Sequence, residues 1–420
     1  MIIKDAIRSL RNNFGKALFY WLTFVLTSMF IFIFFNISMS DAVGVTFIND
    51  KGSFATTLTV FVITICMIII FFANDFFVKN KARDLAVRLV CGATYMQLAE
   101  YLLIQTFILL AIAIPAGILL ALIMIPILNG IIAALPGTGL HITIRFSAVV
   151  MTTIILTTVV FWTTYLNLAF AYRNSASSLL NERSIKIKLE FPALANMKTS
   201  QKFKSILFGV LFFLPVILFY IQPSSSVGWC AVGMVGFNGA MKHILGPWLN
   251  KVLKDDYTDQ PRLLAVLGFF RTDILIMKNN IILFIVSSVL LASILVSQQR
   301  APMEVLLTLL SYVVMSILLS LAIMFKYSTE LSTRAKYFRS LNHLGYTEEE
   351  CAKIKQQEVV LFYLYVFLVV FLYIGNMFMA LILHGLLQAS YAGILMLFII
   401  VPLAVCCVTT LYYYNHIDKK

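Results

Sequence analysis

Few charged and polar residues of this chain recur in a pattern. Lys81, Arg83 and Arg88 precede Gly92, while Arg334, Lys336 and Arg339 precede Gly345, and Lys81 and Arg334 stand at the same distance from their glycines. Behind each glycine comes a matched pair, Thr94 with Gln97 and Thr347 with Glu350. Thr followed three residues later by Gln or Glu is the signature of a capping box, in which each side chain accepts from the other residue's backbone N–H at a helix start. A glycine just ahead of it supplies the left-handed stop that ends the preceding helix. Both stretches therefore read as a charged helix, a tight turn and a restarted helix. The chemistry such an element offers is electrostatic: cations held out to a soluble partner or to anionic lipid, at the base of the helix that restarts.

Residues for catalysis or metal binding show no comparable pattern. Cys66, Cys91, Cys230, Cys351, Cys406 and Cys407 lack zinc-ligand spacing, and His141, His243, His343, His384 and His416 stand singly. No G-x-x-x-x-G-K-[ST] stretch is present to cradle phosphates. The expectation is no catalytic residue, no metal and no cofactor bound by this chain, and no disulfide framework. Asp75, Glu358 and Glu304 fall at the ends of apolar runs, where headgroup contact is the default reading.

The elements that must position the two charged stretches are membrane spans. Of 420 residues, 61% are hydrophobic and only 12% charged, and the apolar residues come in runs of roughly 20, the length that crosses a bilayer core. About ten spans are expected, near 17–38, 55–78, 102–128, 148–171, 205–222, 226–243, 279–298, 303–325, 359–383 and 390–414. The sixth carries Gly233, Gly236 and Gly239 on one face, a small-residue stripe that admits a close neighbour, and forms with the fifth a hairpin that spans or re-enters. Between the second and third spans, Ala82, Leu85, Ala86, Leu89 and Val90 line one helical face, with Lys81, Asp84 and Arg88 on the other. That pattern predicts an amphipathic surface helix. The first apolar run, Ala17 to Ser38, is too long for a signal sequence, and Lys4, Arg8 and Arg11 before it form a basic lead-in along the membrane surface.

Orientation follows from the cations. All of the 32 lysines and arginines except Lys51, Arg145 and Arg300 fall on one side if the N-terminus is inside, so both termini are expected in the cytoplasm. The net charge of +13 is then an orientation signal and an attraction to lipid, not a sign of nucleic acid. A larger repeat is also visible, since Lys4–Asn13 before the first span resembles Arg271–Asn280 before the seventh. The predicted fold is all-α and polytopic: two parallel four-helix repeats, residues 1–172 and 271–420, joined by basic linkers and a central transmembrane hairpin over 173–270.

Phe76-Phe77-Val78-Lys79, continuing to Arg83-Asp84-Leu85-Ala86 and Cys91-Gly92-Ala93-Thr94, resembles the FtsX/MacB-type (type VII) permease domain of ABC transporters. The second copy, Tyr337 to Glu350 and on to Ile354-Lys355-Gln356-Gln357-Glu358-Val359, is similar to the BceB-like branch, the permeases of bacitracin-type peptide-antibiotic transporters. The resemblance implies a separate ABC ATPase that binds the ATP, in two copies, one under each half. It implies ATPase-coupling roles for Lys81, Arg83, Arg88, Gly92, Thr94 and Gln97, and for Arg334, Lys336, Arg339, Gly345, Thr347 and Glu350. Other partners it implies are membrane lipid and a second permease or accessory membrane protein. The expected location is the bacterial cytoplasmic membrane. The expected function is movement or extraction of an amphipathic substrate (a peptide antibiotic, a hydrophobic peptide or a lipid-like molecule) in export or antimicrobial-peptide resistance. The alternative is a non-transporting signal transducer linked to an ATPase and a sensor kinase. The chain departs from the family in having no extracellular domain: Gln298–Pro302 and Met39–Ser53 are both short.

Overall fold

The computed structural model describes residues 8, 14–39, 50–133, 142–173, 201–255, 261–297 and 302–417, and these are helical between short turns, without a strand. They fall into two compact units, one formed by Met1–Phe191 with Arg300–Leu307, the other by Pro192–Gln299 with Thr308–Lys420. The first contains α1 (Phe14–Ser38), α2 (Asp50–Val90), α3 (Tyr95–Ala133) and α4 (Phe146–Arg173). Helix α1 packs against the other three, and its Tyr20, Phe24, Phe32 and Phe34 are fully buried. Helix α4 instead turns Phe146, Phe161, Trp162 and Tyr165 outward. Such a broad apolar outer surface is what lipid contact requires.

The second unit carries the remaining helices, including the Pro302–Thr333 helix from Thr308 onward. They are α5 (Gln201–Ile221), α6 (Ser226–Ala240), α7 (Gly246–Asp255), α8 (Pro261–Ser297), α9 (Pro302–Thr333), α10 (Ala335–His343), α11 (Glu348–Val370), α12 (Asn376–Leu383) and α13 (Ala389–Ile417). π-helical turns at Met241–Leu245 and Phe371–Gly375 join α6 to α7 and α11 to α12. Helix α11 packs between α8 and α13, and α6 packs on α5 and α8.

Nine helices among the described residues are long and apolar enough to cross a membrane, so the chain is an all-α polytopic membrane protein. Nine of the ten expected spans are among them. The sixth is not: α6, the π turn and α7 form one helical stretch from Ser226 to Asp255, which is not among these apolar spans. Its glycine stripe holds α5 so closely that a β-carbon on Gly236 would meet the backbone of Leu211 and Phe212, and one on Gly239 would meet the Phe208 ring. The stripe read from the sequence thus builds a tight hairpin between α5 and α6.

Two boundaries also differ from expectation. The charged segment after the second span is not a separate surface helix: α2 runs without a break from Asp50 to Val90. Between Asn74 and the turn lies neither Gly nor Pro, so nothing interrupts the hydrogen-bond ladder, and the 16 residues beyond Asn74 add about 24 Å to the span. The basic linker expected after the central hairpin is largely helical among the described residues, as α7 and the start of α8.

Candidate functional site

The two glycine turns have the same geometry. Gly92 has φ 93° and Gly345 has φ 98°, a region open to glycine because it has no β-carbon. Around each, the following residue reaches back five positions, Ala93 N–H to the Arg88 carbonyl and Tyr346 N–H to the Leu341 carbonyl, at 3.0 and 3.2 Å. Each glycine N–H donates to the carbonyl three residues back, Leu89 and Asn342, both at 3.1 Å. This is the Schellman arrangement, which satisfies the last carbonyls of the helix. The capping boxes form as read. Thr94 N–H donates to Gln97 Oε1 at 3.0 Å and Gln97 N–H to Thr94 Oγ1 at 3.3 Å; Thr347 N–H donates to Glu350 Oε2 at 3.0 Å and Glu350 N–H to Thr347 Oγ1 at 3.3 Å. Each turn is rigid by its own local bonding.

The first element carries a small core of its own. Leu85 of α2 packs on Leu98, Tyr101 and Leu102 of α3, with Leu89, Ala93 and Ile104 around them. Leu85 and Ala86 lie on the buried face as the stripe predicts, but Val90 is 69% exposed, since the helix ends beyond its packing partner. Arg88 lies half-buried with its guanidinium 4.1 Å from the Tyr101 ring centre. The side chains of Arg83, Lys336 and Arg339 lie outside the described residues, as do Lys4 and Arg11; Arg8 is exposed.

Two expected surface cations are buried. Lys81 is 4% exposed and donates to Gln105 Oε1 of α3 at 2.5 Å, with its ammonium 4.8 Å from the Phe77 ring centre. Burial pushes this ammonium down to about 8; Asp84 opposes that shift and Arg88 adds to it. Lys81 therefore faces α3 within this chain. The apolar-stripe reading placed it on the polar face because a helical wheel sees one neighbour, whereas α2 has several.

Arg334 is buried as well. It is 2% exposed and lies between two fully buried carboxylates, Asp273 of α8 and Glu358 of α11. Its guanidinium donates to both, including an Nη1 to Oδ2 contact with Asp273 of 3.2 Å, and stands 4.9 Å from the Phe269 ring centre. Glu358, read as a headgroup contact, is instead paired inside the protein. Nearby, the buried Lys355 ammonium sits 4.8 Å from the Phe338 ring centre and 5.4 Å from that of Tyr414. Nearer the turn, Arg262 and Glu350 make a half-exposed ion pair at 3.8 Å.

A neutral network in the first unit plays the comparable structural part. Asn74 Nδ2 donates to Asn167 Oδ1 at 2.8 Å, and the Tyr20 hydroxyl donates to Asn74 Oδ1 at 3.2 Å. Tyr20 also stacks on Phe77 at 4.7 Å. Buried polar groups linked in this way fix neighbouring helices in one register.

These features define a polytopic membrane protein in which a rigid helix–turn–helix caps the charged end of a span pair, twice. Residues 56–174, which hold α2 from its seventh residue, the first helix–turn–helix, α3 and α4, match the family model described as FtsX-like permease C-terminal. This stretch of the chain is thus similar to the FtsX-like permease domain. The comparison with curated proteins gives no match. Sequence reasoning missed Asp273, Glu358 and Gln105 as members of the site. One signal pointed to two of them: Lys81 to Gln105 and Arg334 to Glu358 are both separations of 24 residues.

Proposed function

We propose that this chain is the membrane subunit of a bacterial ABC transporter of the BceB-like branch, driven by a separate ATPase that binds the ATP. The single observation behind the reading is the duplicated helix–turn–helix, one copy of which lies inside the matched permease domain. Each copy would dock one ATPase, so two ATPases serve one permease, and the docking end faces the cytoplasm together with both termini. The partner-facing groups are then those around the turns, with Arg83, Arg88, Lys336 and Arg339 supplying charge. The chain itself carries no catalytic group in this reading. Its cargo is amphipathic, a hydrophobic peptide, peptide antibiotic or lipid-like molecule, because the spans are apolar along most of their length.

A second reading, a signal transducer that moves a sensor kinase's helices instead of a cargo, is favoured by the short loops at Met39–Ser53 and Gln298–Pro302, which leave no domain to capture a substrate. Purification in mild detergent, followed by quantitation of what accompanies the chain, tests the shared core of both. A soluble ATPase in twofold excess is the expected result; its absence would defeat both readings.

A further inference from the structure

One contact recurs in both helix–turn–helix elements and is not required by the turn itself. Lys81 lies eleven residues before Gly92 and bonds Gln105, thirteen after it; Arg334 lies eleven before Gly345 and bonds Glu358, thirteen after it. The turn fixes only the residues beside the glycine. These pairs close the helices again about three turns away, where the restarted helix has become a span. The register between turn and pair is buried in both copies, at Leu98 and Cys351, Tyr101 and Ile354, Leu102 and Lys355. Each cation also rests on an aromatic ring, Phe77 in one copy and Phe269 in the other. The chemistry differs: the first acceptor is an amide, the second a carboxylate joined by Asp273. A shared position with unlike chemistry points to a shared mechanical role. Removing one partner of a buried cation pair is costly, so each pair holds its two helices at one angle.

We propose that Lys81–Gln105 and Arg334–Glu358 are positioning clamps. Each makes its helix–turn–helix and the first turns of the following span move as one rigid body, so that a displacement imposed at the turn reaches the far end of α3 or α12. The glycine turn is then not a hinge. This inference rests on the ATPase reading above.

The test uses the full chain with its copurifying ATPase in nanodiscs, in a background with the six native cysteines replaced. Gly130→Cys reports on the far end of α3, where the residue is exposed and a β-carbon meets nothing within 4 Å. Leu383→Cys reports on α12, from a position 68% exposed. The reaction rate of each thiol with a maleimide dye is measured with and without Mg-ATP. In the unaltered clamp background ATP is expected to change the rate by at least about fivefold. Lys81→Met and Gln105→Leu should keep the ATPase bound and its hydrolysis rate within about twofold, yet lose the ATP-dependent change at Gly130→Cys while retaining it at Leu383→Cys. Lys81→Arg and the Lys81→Gln, Gln105→Lys exchange should restore it. The exchange keeps both groups paired, so it carries the test if Lys81→Met does not assemble. A full ATP response in folded Lys81→Met and Gln105→Leu would overturn the clamp. An ATPase bound without any ATP response in the parent would overturn transmission along α3. No bound ATPase in the parent would defeat the underlying reading instead, and would show before any variant is made.

Discussion

Arg334 shows how one side chain can decide the order of three helices. It bonds Asp273 of α8 and Glu358 of α11 from just past the end of α9, with all three groups out of contact with water. Arg334→Met leaves two buried carboxylates facing each other and is expected to destabilise the protein by about 3–5 kcal/mol; Glu358→Gln, which keeps an acceptor oxygen, should cost clearly less. The half-life at elevated temperature in detergent ranks the two, because membrane proteins of this size seldom unfold reversibly. Lys81 allows a test by pH. Its ammonium sits near 8 in the folded chain, below the ordinary lysine value of about 10.4. Between those values the unfolded chain binds more protons than the folded one, so stability rises as pH is raised from about 8 towards 10 and is flat below. Lys81→Met should lack this rise, measured by the same half-life. None of these partners was legible as such. Spacing within one helix says which residues share a face, but whether Glu358 at the end of an apolar run meets lipid or protein depends on α8 and α9, which are distant in sequence. The charge pattern of Lys81 was visible, and its neighbour in α3 was not.

At the scale of elements, the turns were the most legible part of the chain. Thr94 with Gln97, Thr347 with Glu350 and the two glycines predict local structure because their partners lie within five residues, so no tertiary information is needed. Gly92→Ala or Gly345→Ala forces a β-carbon into the left-handed region and should cost about 1–2 kcal/mol. Thr94→Ala or Thr347→Ala should cost about 1 kcal/mol through the lost cap. Amide hydrogen exchange at the start of α3 and α11 reads both effects, with faster exchange expected in the first turn. Less legible was where elements run on. The 41-residue α2 hides a span and a stalk in one helix, since charge marks where the membrane stops but not where the helix stops. Helix α6 is the converse case: its apolar run reads as a span, while its glycines serve contact with α5.

At the scale of the whole molecule, the membrane class was legible from composition, because long apolar runs have few other uses in a chain with so little charge. The docking role of the charged turns is a separate claim, and the buried positions of Lys81 and Arg334 narrow it. Charge reversal at Arg83 and Arg339 should reduce ATPase copurification about tenfold while leaving the spans folded, consistent with charge pairs acting at an interface rim and core. The same reversal at Arg88 should also loosen the hairpin, since its guanidinium rests on Tyr101. The most direct measurement is the mass of the intact complex by native mass spectrometry. Two ATPase copies per permease chain are expected, one for each helix–turn–helix. A complex with one ATPase per chain, or a permease that flies alone under conditions that keep its lipids bound, would contradict the account of two equivalent docking elements.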